Sequence, residues 1–398
     1  MVPQLHVGID VGCKKHRIGI ADSQGRILEE FDTLHTEAGF REFFHRVDHY
    51  KETLGLPVAV AMEGYNGYAR PLDQLIQEKG YILYNVNNLK LARFKEVFPG
   101  TAKTDTIDTR KILELFHLKE HLPLAKDVLQ RVFPVPSVNE KLKRLSRRRR
   151  SLVNEKVRIA NRLQSDLQAV CPELLEITHC VSNRWFLRVI TSRDDLRQLA
   201  RLRYSTLLKL RGIGPVYAGY IRQWQKIASF SREVDYVGLM ILQDARRLLE
   251  LLDQIQSLNK ALEALAKGSE MAQRLSSIPG FGGTSVAELV GEIGTWERFS
   301  GESGLALYLG MSPLTYQSGQ SHRTRTPRQV NRRAKAAMMT AVARHMGCVP
   351  ESRAYYDKKR AEGKTHNQAI RALGRQLVRV IWSMLKNNRD YKLKEVNK

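Results

Sequence analysis

The first 97 residues alternate between short apolar segments and longer amphipathic ones, and this alternation restricts the fold more than any other feature. Strands are predicted at residues 5–11, 17–21, 27–31, 57–62 and 81–86, and helices at 38–50, 69–79 and 89–97. A turn of the hairpin type, at residues 22–25, joins the second strand to the third. Strands that alternate with helices predict an α/β domain, which we place at residues 1–130.

Four carboxylates occupy positions that this domain could bring together. Asp10 and Glu63 each end an apolar strand, and the carboxyl ends of neighbouring strands are where open α/β sheets bind ligands. Asp105 and Asp108 open a helix predicted at residues 106–117, and their spacing puts them on one face, about one turn apart. Taken alone, these two aspartates fit an ordinary helix N-terminus better than a ligand site.

The full set of four carboxylates on three elements predicts a site for two metal ions. Oxygen ligands select Mg²⁺ or Mn²⁺ over softer metals. Two such ions about 4 Å apart can activate a nucleophile and stabilise a leaving oxygen in phosphodiester chemistry.

Two other motifs in this half suggest different enzymes. Residues 8–12 look like the first phosphate loop of actin-like sugar kinases, but the matching second loop is missing from the sequence. His117 and His121 fit the inverted zinc-protease signature, but no third ligand is identifiable. Both motifs are short enough to match by chance.

The charge of the chain indicates a polyanionic partner. Lys and Arg number 65 against 41 Asp and Glu, which gives a formal net charge of +24 and an isoelectric point of about 10.0. Nucleic acid is the usual partner of such a chain. A membrane is not expected, because the sequence has neither a run of 18 apolar residues nor a signal-peptide pattern. The spacing of the four cysteines fits neither a zinc finger nor a disulfide framework, which predicts reduced thiols in a cytoplasmic protein.

A middle region at residues 137–270 is predicted to contain two long helices. The first, at 137–170, begins with a capping box at Ser137 and Glu140, and the second, at 237–266, has the apolar spacing of a coiled coil. Two such helices would form an antiparallel hairpin or a dimerisation arm. Between them lies a basic insertion at 182–236. Its residues 210–215 resemble the turn of a helix-hairpin-helix.

The densest basic run of the chain, at residues 141–150, lies in the first long helix. It ends in four consecutive arginines: Arg147, Arg148, Arg149 and Arg150. A solvated helix face is the simpler interpretation, but adjacent arginines repel one another, and phosphate contacts explain the run better.

The third region, residues 271–398, begins with a glycine-rich turn that contains Gly280 and Gly282. A helix predicted at 284–293 follows, so the turn could present backbone N–H groups to a phosphate. Glycines also end helices for conformational reasons alone, and the sequence leaves both explanations open. The tail, residues 351–391, is predicted to be two helices with a core-facing stripe. That stripe comprises Ala369, Leu373, Leu377, Val380 and Ile381.

A candidate nucleophile lies in a stretch without acidic residues. Residues 303–350 contain no Asp or Glu, and Ser318 precedes a glycine in a polar, arginine-rich segment predicted to be a loop. Arginines would hold a scissile phosphate and stabilise the developing negative charge. A serine in a flexible turn is the simpler alternative. Ser312 and Ser321 are weaker candidates.

The motifs taken in order resemble those of the IS110 family of insertion-sequence transposases, the DEDD/serine recombinases related to site-specific DNA invertases. The N-terminal half is similar at residues 8–11, 62–63 and 103–108, and the C-terminal half at 278–282, 307–313, 317–319 and 331–333. The likeness covers the chain from end to end. The resemblance implies a RuvC-like (ribonuclease H-like) N-terminal domain, a coiled-coil middle and a mainly helical C-terminal transposase domain.

The resemblance also implies roles for individual residues. The carboxylates Asp10, Glu63, Asp105 and Asp108 would bind Mg²⁺ or Mn²⁺, and Ser318 would attack a DNA phosphate to form a phosphoserine linkage. Nucleic-acid contacts are expected from Arg323, Arg325, Arg328, Asn331, Arg332, Arg333 and Lys335.

The same resemblance implies a composite site and several partners. The RuvC-like domain of one protomer would meet the transposase domain of another, and dimers would assemble to a tetramer on donor and target DNA. A non-coding bridge RNA would guide the reaction, and the protein would be cytoplasmic and nucleoid-associated in a bacterium or archaeon. Val330 and Lys335 depart from the glycine and arginine common in the family, which puts the local turn in doubt. The remaining alternatives are a RuvC-like structure-selective nuclease and a non-catalytic nucleic-acid-binding protein.

Overall fold

The computed structural model describes residues 3–63, 70–86, 91, 105–121, 128–318, 321–325, 327 and 330–392. The chain divides into two compact units, Met1–Pro134 and Val135–Lys398. None of the helices described is long and apolar enough to cross a membrane.

The first unit is built on a six-stranded mixed sheet. Its strands are β1 (Leu5–Val11), β2 (Lys15–Ala21), β3 (Ile27–Leu34), β4 (Val58–Met62), β5 (Ile82–Val86) and β6 (Leu129–Arg131), in the order β3-β2-β1-β4-β5-β6. The first three strands pair antiparallel, whereas β4 runs parallel to both β1 and β5. The predicted α/β arrangement is therefore confirmed, and the short edge strand β6 is an addition to it.

In the described part of this unit, three helices cover the sheet: α1 (Glu37–Leu54), α2 (Arg70–Glu78) and α3 (Asp105–His121). Alternate residues of β4 belong to two separate cores, since successive side chains of a strand point to opposite faces. Val58, Val60 and Met62 join the core that contains α1 and α2 residues, and Ala59 and Ala61 join the core that contains α3 residues. The helix predicted at 89–97 lies outside the described residues except for Leu91.

The second unit is mainly helical. Its helices are α4 (Ser137–Val170), α5 (Arg184–Ile190), α6 (Tyr204–Lys209), α7 (Pro215–Ile227), α8 (Val234–Ala266), α9 (Glu270–Ser276), α10 (Gly283–Ile293), α11 (Glu302–Tyr308), α12 (Arg332–Cys348), α13 (Pro350–Ala361) and α14 (His366–Lys386). Helices α9 to α14 surround one hydrophobic core together with Leu142 of α4 and Leu262 of α8. A second core contains residues of α4, α8 and the segment between them. A β-hairpin, β7 (Leu314–Ser318) and β8 (Ser321–Arg325), separates α11 from α12.

Helices α4 and α8 run antiparallel, as their ion pairs show. Arg162 bonds Asp244 at 2.5 and 2.6 Å, and Glu155 bonds Arg247 at 2.7 Å. The later residue of α4 thus contacts the earlier residue of α8, as antiparallel helices require. Of the two arrangements predicted for these helices, the antiparallel hairpin is present within the chain. The coiled-coil character and the dimerisation arm stay predictions.

Two details of the helices predicted for this unit are wrong. Pro136, not Ser137, precedes the first turn of α4, and no side chain caps the helix, because Ser137 already lies inside it. Val380 is 36% exposed, although the other four residues of its predicted stripe are buried. Val380 lines an open groove together with Tyr355 and Leu377, so solvent reaches its side chain.

Candidate active site

Asp10 and Glu63 lie side by side at one end of the sheet. Ile9 of β1 is in register with Met62 of β4, and the backbone N–H of Glu63 donates to the Ile9 carbonyl at 3.3 Å. The strands are parallel, so the next residue of each, Asp10 and Glu63, comes at the same carboxyl end. The structure thus places this pair at neighbouring strand ends, which is where open α/β sheets bind ligands.

Helix α3 packs against the face of the sheet to which Asp10 belongs. A Cβ on Gly8 would lie 3.1 Å from the Thr109 carbonyl oxygen. Residues two apart in a strand share a face, so Asp10 is on the same side as Gly8. Asp108, which is buried, directly precedes Thr109 in α3. The sheet and the first turns of α3 therefore bring carboxylates from three elements to one side of the unit.

The metal site itself stays a prediction. Asp105 is the first residue of α3, one residue before the predicted start at 106, and its side chain lies outside the described residues. Among the side chains that are described, no three His, Cys, Asp or Glu residues form a group that could hold a metal. The donors of Asp10, Glu63 and Asp108 are carboxylate oxygens, and this donor chemistry fits Mg²⁺ or Mn²⁺.

The structure favours neither of the two rival motifs. Gly8 is explained by its close approach to α3, because any larger side chain would press on the Thr109 carbonyl. The His117 and His121 rings stack with centroids 6.2 Å apart, and His117 also contacts the buried His6. No group of metal-binding residues includes them in the described part of the chain.

Ser318 lies at the end of a β-hairpin and not in the loop that we predicted. It is the last residue of β7 and pairs across the hairpin with Ser321, the first residue of β8. The Thr and Tyr residues of this hairpin favour strands, but the polar residues between them leave no apolar alternation that would predict a hairpin. The Ser318, Arg323 and Arg325 side chains lie outside the described residues, as does Arg328 entirely.

The segment that carries this hairpin is closed at its base by Tyr308 and Asn331. The Asn331 backbone N–H donates to the Tyr308 carbonyl at 3.0 Å, and the Asn331 side-chain amide donates to the Tyr308 hydroxyl at 2.6 Å. The Asn331 side-chain oxygen also caps α12, accepting from Arg333 N–H and Ala334 N–H. Asn331 therefore fixes the ends of both the hairpin segment and the following helix.

The Tyr308–Asn331 end of the hairpin segment is bonded to a buried carboxylate, that of Glu292 in α10, which is 1% exposed. Glu292 accepts from the Asn331 amide at 2.7 Å and from Arg147 at 2.7 and 2.8 Å. Burial alone would raise the pKa of Glu292, but the hydrogen bonds from Arg147 and Asn331 outweigh it and lower that pKa. The carboxylate thus stays ionised in the interior and joins α4 to the hairpin base.

The arginine run of α4 is largely engaged inside the unit. Arg150 makes a bidentate pair with the buried Glu288 at 3.0 and 2.6 Å, and Arg149 bonds the Asn259 side chain at 2.5 Å. With Arg147 on Glu292, three of the four arginines have protein partners, and Arg148 is the exposed one. These contacts explain the run without nucleic acid, so the phosphate contacts stay predictions.

Packing explains the glycine-rich turn before α10. Gly280 has φ +83°, and a Cβ there would lie 2.5 Å from the His345 backbone nitrogen of α12. A Cβ on Gly282 would lie 2.9 Å from an Arg344 guanidinium nitrogen. The His345 ring donates from Nδ1 to the Pro279 carbonyl at 2.8 Å and so ties the turn to α12. Of the two explanations left open, conformational need is the one that these contacts support.

The remaining predicted contacts are at the start of α12. Arg332 and Arg333 are exposed in its first turn. Lys335 is half-buried, with its side chain against Gly310, and burial together with Arg371 lowers its pKa. Gly310 has φ +67° and no side chain, which leaves room for the Lys335 methylene groups to pack over it.

Sequence reasoning missed Glu288, Glu292 and Tyr308. A signal for the two glutamates was present: they are four residues apart in α10, whose other residues are apolar or small. Carboxylates with that spacing share a helix face, and on a buried helix they require cationic partners. The sequence does not say which cations pair with them, since Arg147 is 145 positions away.

Two family profiles match the chain in sequence. A profile for DEDD transposases of the IS110 type matches residues 7–172, which include Asp10, Glu63, Asp105 and Asp108. A second profile, described as the transposase IS116/IS110/IS902 family, matches residues 272–357, which include Ser318 and Asn331. The chain belongs to the IS110/IS116 family of transposases.

Relatives of this IS110-family chain include proteins of similar length. The insertion element IS110 uncharacterized 43.6 kDa protein of Streptomyces coelicolor is 26% identical over 97% of this chain and 95% of its own. The insertion element IS900 uncharacterized 42 kDa protein of Mycobacterium paratuberculosis is 24% identical over 98% of both chains. The pilin gene-inverting protein of Moraxella bovis is 28% identical over 30% of this chain and 38% of its own.

Proposed function

We propose that this transposase cleaves and rejoins DNA strands through a covalent intermediate on Ser318. The Ser318 Oγ attacks a DNA phosphorus, one of the two ester oxygens of the phosphate leaves with its strand, and the other strand stays on the serine. A free hydroxyl of another strand end then attacks the phosphoserine, rejoins the DNA and releases Ser318. Both steps exchange one phosphate ester for another, so rejoining needs no external energy source.

The position of Ser318 in the hairpin carries this proposal. The segment contains no Asp or Glu, so no carboxylate of the segment repels a phosphate. The hydrogen bond between Asn331 and Tyr308 joins the two ends of the segment. Arg332 and Arg333, exposed where the segment ends, offer the cations that hold a phosphate oxygen. A nucleophile held in position before the attack avoids much of the entropic cost of the reaction.

Asp10, Glu63, Asp105 and Asp108 are the residues that would hold Mg²⁺ or Mn²⁺. The cation, when bound, would neutralise charge on the phosphate and on the leaving oxygen. Asp10 and Glu63 at adjacent strand ends, with Asp108 on the packed helix, support this assignment. In the proposal this RuvC-like unit serves the Ser318 of another protomer, in a dimer that assembles to a tetramer on donor and target DNA.

Guidance by a non-coding RNA is also part of the proposal. A net charge of +24 suits a polyanionic partner. The charge does not distinguish RNA from DNA, and we propose RNA as the guide because the motifs resemble those of bridge-RNA-guided recombinases. A structured non-coding RNA encoded beside the gene would support this part.

A covalent-adduct assay tests the central step. The full chain is incubated with supercoiled DNA that carries the element ends, RNA transcribed from the flanking sequence, and Mg²⁺. It is then denatured and examined for protein-bound DNA. We expect an adduct that Ser318→Ala abolishes while DNA binding is retained. Ser321→Ala is the matched control, because Ser321 is the cross-strand partner of Ser318 in the same hairpin, and it should retain the adduct.

Two outcomes would contradict the proposal. An adduct that survives Ser318→Ala would remove this serine from its role. Mg²⁺-dependent cleavage that leaves free ends and no adduct, unchanged in Ser318→Ala, would instead indicate a nuclease that uses water.

A further inference from the structure

A chain of side-chain contacts crosses the basic insertion between the two long helices. Arg188 of α5 donates from Nη1 to the Arg211 carbonyl at 2.7 Å, in the turn between α6 and α7. In the same helix, Trp185 stacks on Tyr217 of α7 with centroids 4.4 Å apart and planes at 20°. The Tyr217 ring is 6.4 Å from that of Tyr220. We name Arg188, Arg211, Tyr217 and Tyr220 the tyrosine surface.

The two tyrosines of this surface are open to solvent. Tyr217 is 39% exposed and Tyr220 is 47% exposed, although both are large and aromatic. Tyr217 rests on the buried Trp185, which fixes its orientation and leaves its other side available. Rigid, exposed aromatic rings mark binding surfaces more often than isolated aliphatic side chains do.

The surroundings of the surface are cationic. Residues 182–236 contain 11 Arg and Lys against 4 Asp and Glu. Arg211 is exposed at the turn, as are Arg203 and Lys209 just before it, and the ion pairs of the described residues include none of the three. Glu173 and Glu176 line a groove beside Tyr220. A polyanion on the surface would therefore extend from Tyr220 toward Arg211 and away from that groove.

We propose that the tyrosine surface binds single-stranded DNA, with bases stacked on Tyr217 and Tyr220 and phosphates near Arg188 and Arg211. Unpaired bases expose the faces that stack on aromatic rings, whereas a duplex conceals them. Positive charge beside the rings complements the backbone. The choice of DNA rests on the proposed function, because cleavage and rejoining of strands expose unpaired DNA.

Binding of oligonucleotides by the full chain tests the surface. Fluorescence anisotropy would compare labelled oligo(dT) of about 20 nucleotides, oligo(U) of the same length and a duplex, over a range of salt. We expect the order oligo(dT), then oligo(U) and duplex. For oligo(dT) we expect a loss of about 25-fold or more in Tyr217→Ala/Tyr220→Ala, because each of the two stacked bases contributes about 5-fold or more. Arg211→Gln should lower the slope of log K against log salt by about 0.7.

Three further variants test whether a loss of binding comes from the loss of the two rings rather than from misfolding or from the removal of any exposed tyrosine. Tyr217→Phe/Tyr220→Phe keeps both rings and should bind as wild type. Tyr236→Ala removes an exposed tyrosine of α8 outside the contact chain and should also have no effect. Tyr220→Ala leaves the Trp185 stack intact, so a loss of binding there, with an unchanged melting temperature, excludes misfolding as the cause.

The outcomes separate this proposal from the proposed function. Unchanged oligo(dT) binding in the alanine variants, or equal affinity for duplex, would overturn the stacking surface. Tighter binding of oligo(U) than of oligo(dT) would overturn the assignment to DNA. None of these measurements needs cleavage, so the absence of a serine adduct in the wild type would refute the proposed function and leave this result standing.

Discussion

The buried carboxylate of Glu292 accepts two hydrogen bonds, of 2.7 and 2.8 Å, from the guanidinium of Arg147. The pair joins the long helix α4 to α10, and through Asn331 it reaches the base of the Ser318 hairpin. A basic run that suggests a nucleic-acid surface thus supplies part of the support for the candidate nucleophile.

Removal of Arg147 should destabilise the second unit. Arg147→Met leaves Glu292 charged and buried without its main partner, which costs about 3–5 kcal/mol. Urea unfolding at pH 7 would measure the loss. Arg148→Met is the control: Arg148 is exposed, and its replacement should change the free energy of unfolding by no more than about 0.5 kcal/mol. Equal effects of the two changes would contradict the role assigned to the buried pair.

Asn331→Asp should impair adduct formation more than DNA binding. An aspartate still caps α12, but it brings a second carboxylate against Glu292, and two carboxylates at that distance repel each other. We expect the adduct yield to fall at least about tenfold, which is about 1.4 kcal/mol of lost positioning. Adding Glu292→Gln replaces one carboxylate by an amide donor and should restore part of the yield. If the double variant is no better than Asn331→Asp, the hairpin base does not act through Glu292.

Acid should destabilise the first unit through two buried histidines. Burial lowers the pKa of His6 from 6.5 to about 4, and burial together with His35 lowers that of His16 to about 4. Between pH 6.5 and 4 the unfolded chain binds protons at these positions and the folded chain does not. The stability that is present above pH 6.5 is therefore lost as the pH falls toward 4. Urea unfolding at pH 7.5 and pH 5 would show the difference.

His6→Phe should reduce this acid sensitivity. The His6 ring stacks on Phe116 with centroids 4.2 Å apart, and within the described residues neither ring nitrogen has a hydrogen-bond partner. Phenylalanine keeps the stack, removes the unsatisfied nitrogens and should raise the free energy of unfolding by about 1–3 kcal/mol. A destabilised variant would show that the His6 nitrogens are satisfied. An unchanged pH dependence would show that His6 does not cause the acid sensitivity.

Asp105→Asn should abolish metal-dependent strand cleavage and leave salt-sensitive DNA binding largely intact. Amide oxygens are weaker ligands for Mg²⁺ than carboxylates, and the variant keeps the shape of the side chain. Cleavage rates at increasing Mn²⁺, with binding measured separately, would test it. Persistence of cleavage at the wild-type rate would refute the metal assignment for this residue.

Local patterns in the sequence were enough for most of the secondary structure. The alternation of apolar segments predicted five of the six strands in the sheet of the first unit, and apolar periodicity predicted the long helices α4 and α8. The sequence also predicted that Asp10 and Glu63 each end a strand, because the length of an apolar segment and the polar residue that follows it are visible locally. The motif order also indicated the family. The hairpin at Ser318 was missed because its polar residues carry no strong strand signal.

What only the tertiary structure decided is which groups meet. Arg147 and Arg150 look like free surface cations in the sequence, yet helix packing sets them against Glu292 and Glu288, more than 130 positions away. Asn331 looks like a nucleic-acid contact, yet its amide is held by Tyr308 and Glu292. The sequence by itself determined the charge, the order of the elements and the carboxylates at the strand ends, because these depend on composition and on neighbours along the chain. The pairing of distant charges was decided by packing, because a buried carboxylate is stable only where the fold brings a cation to it.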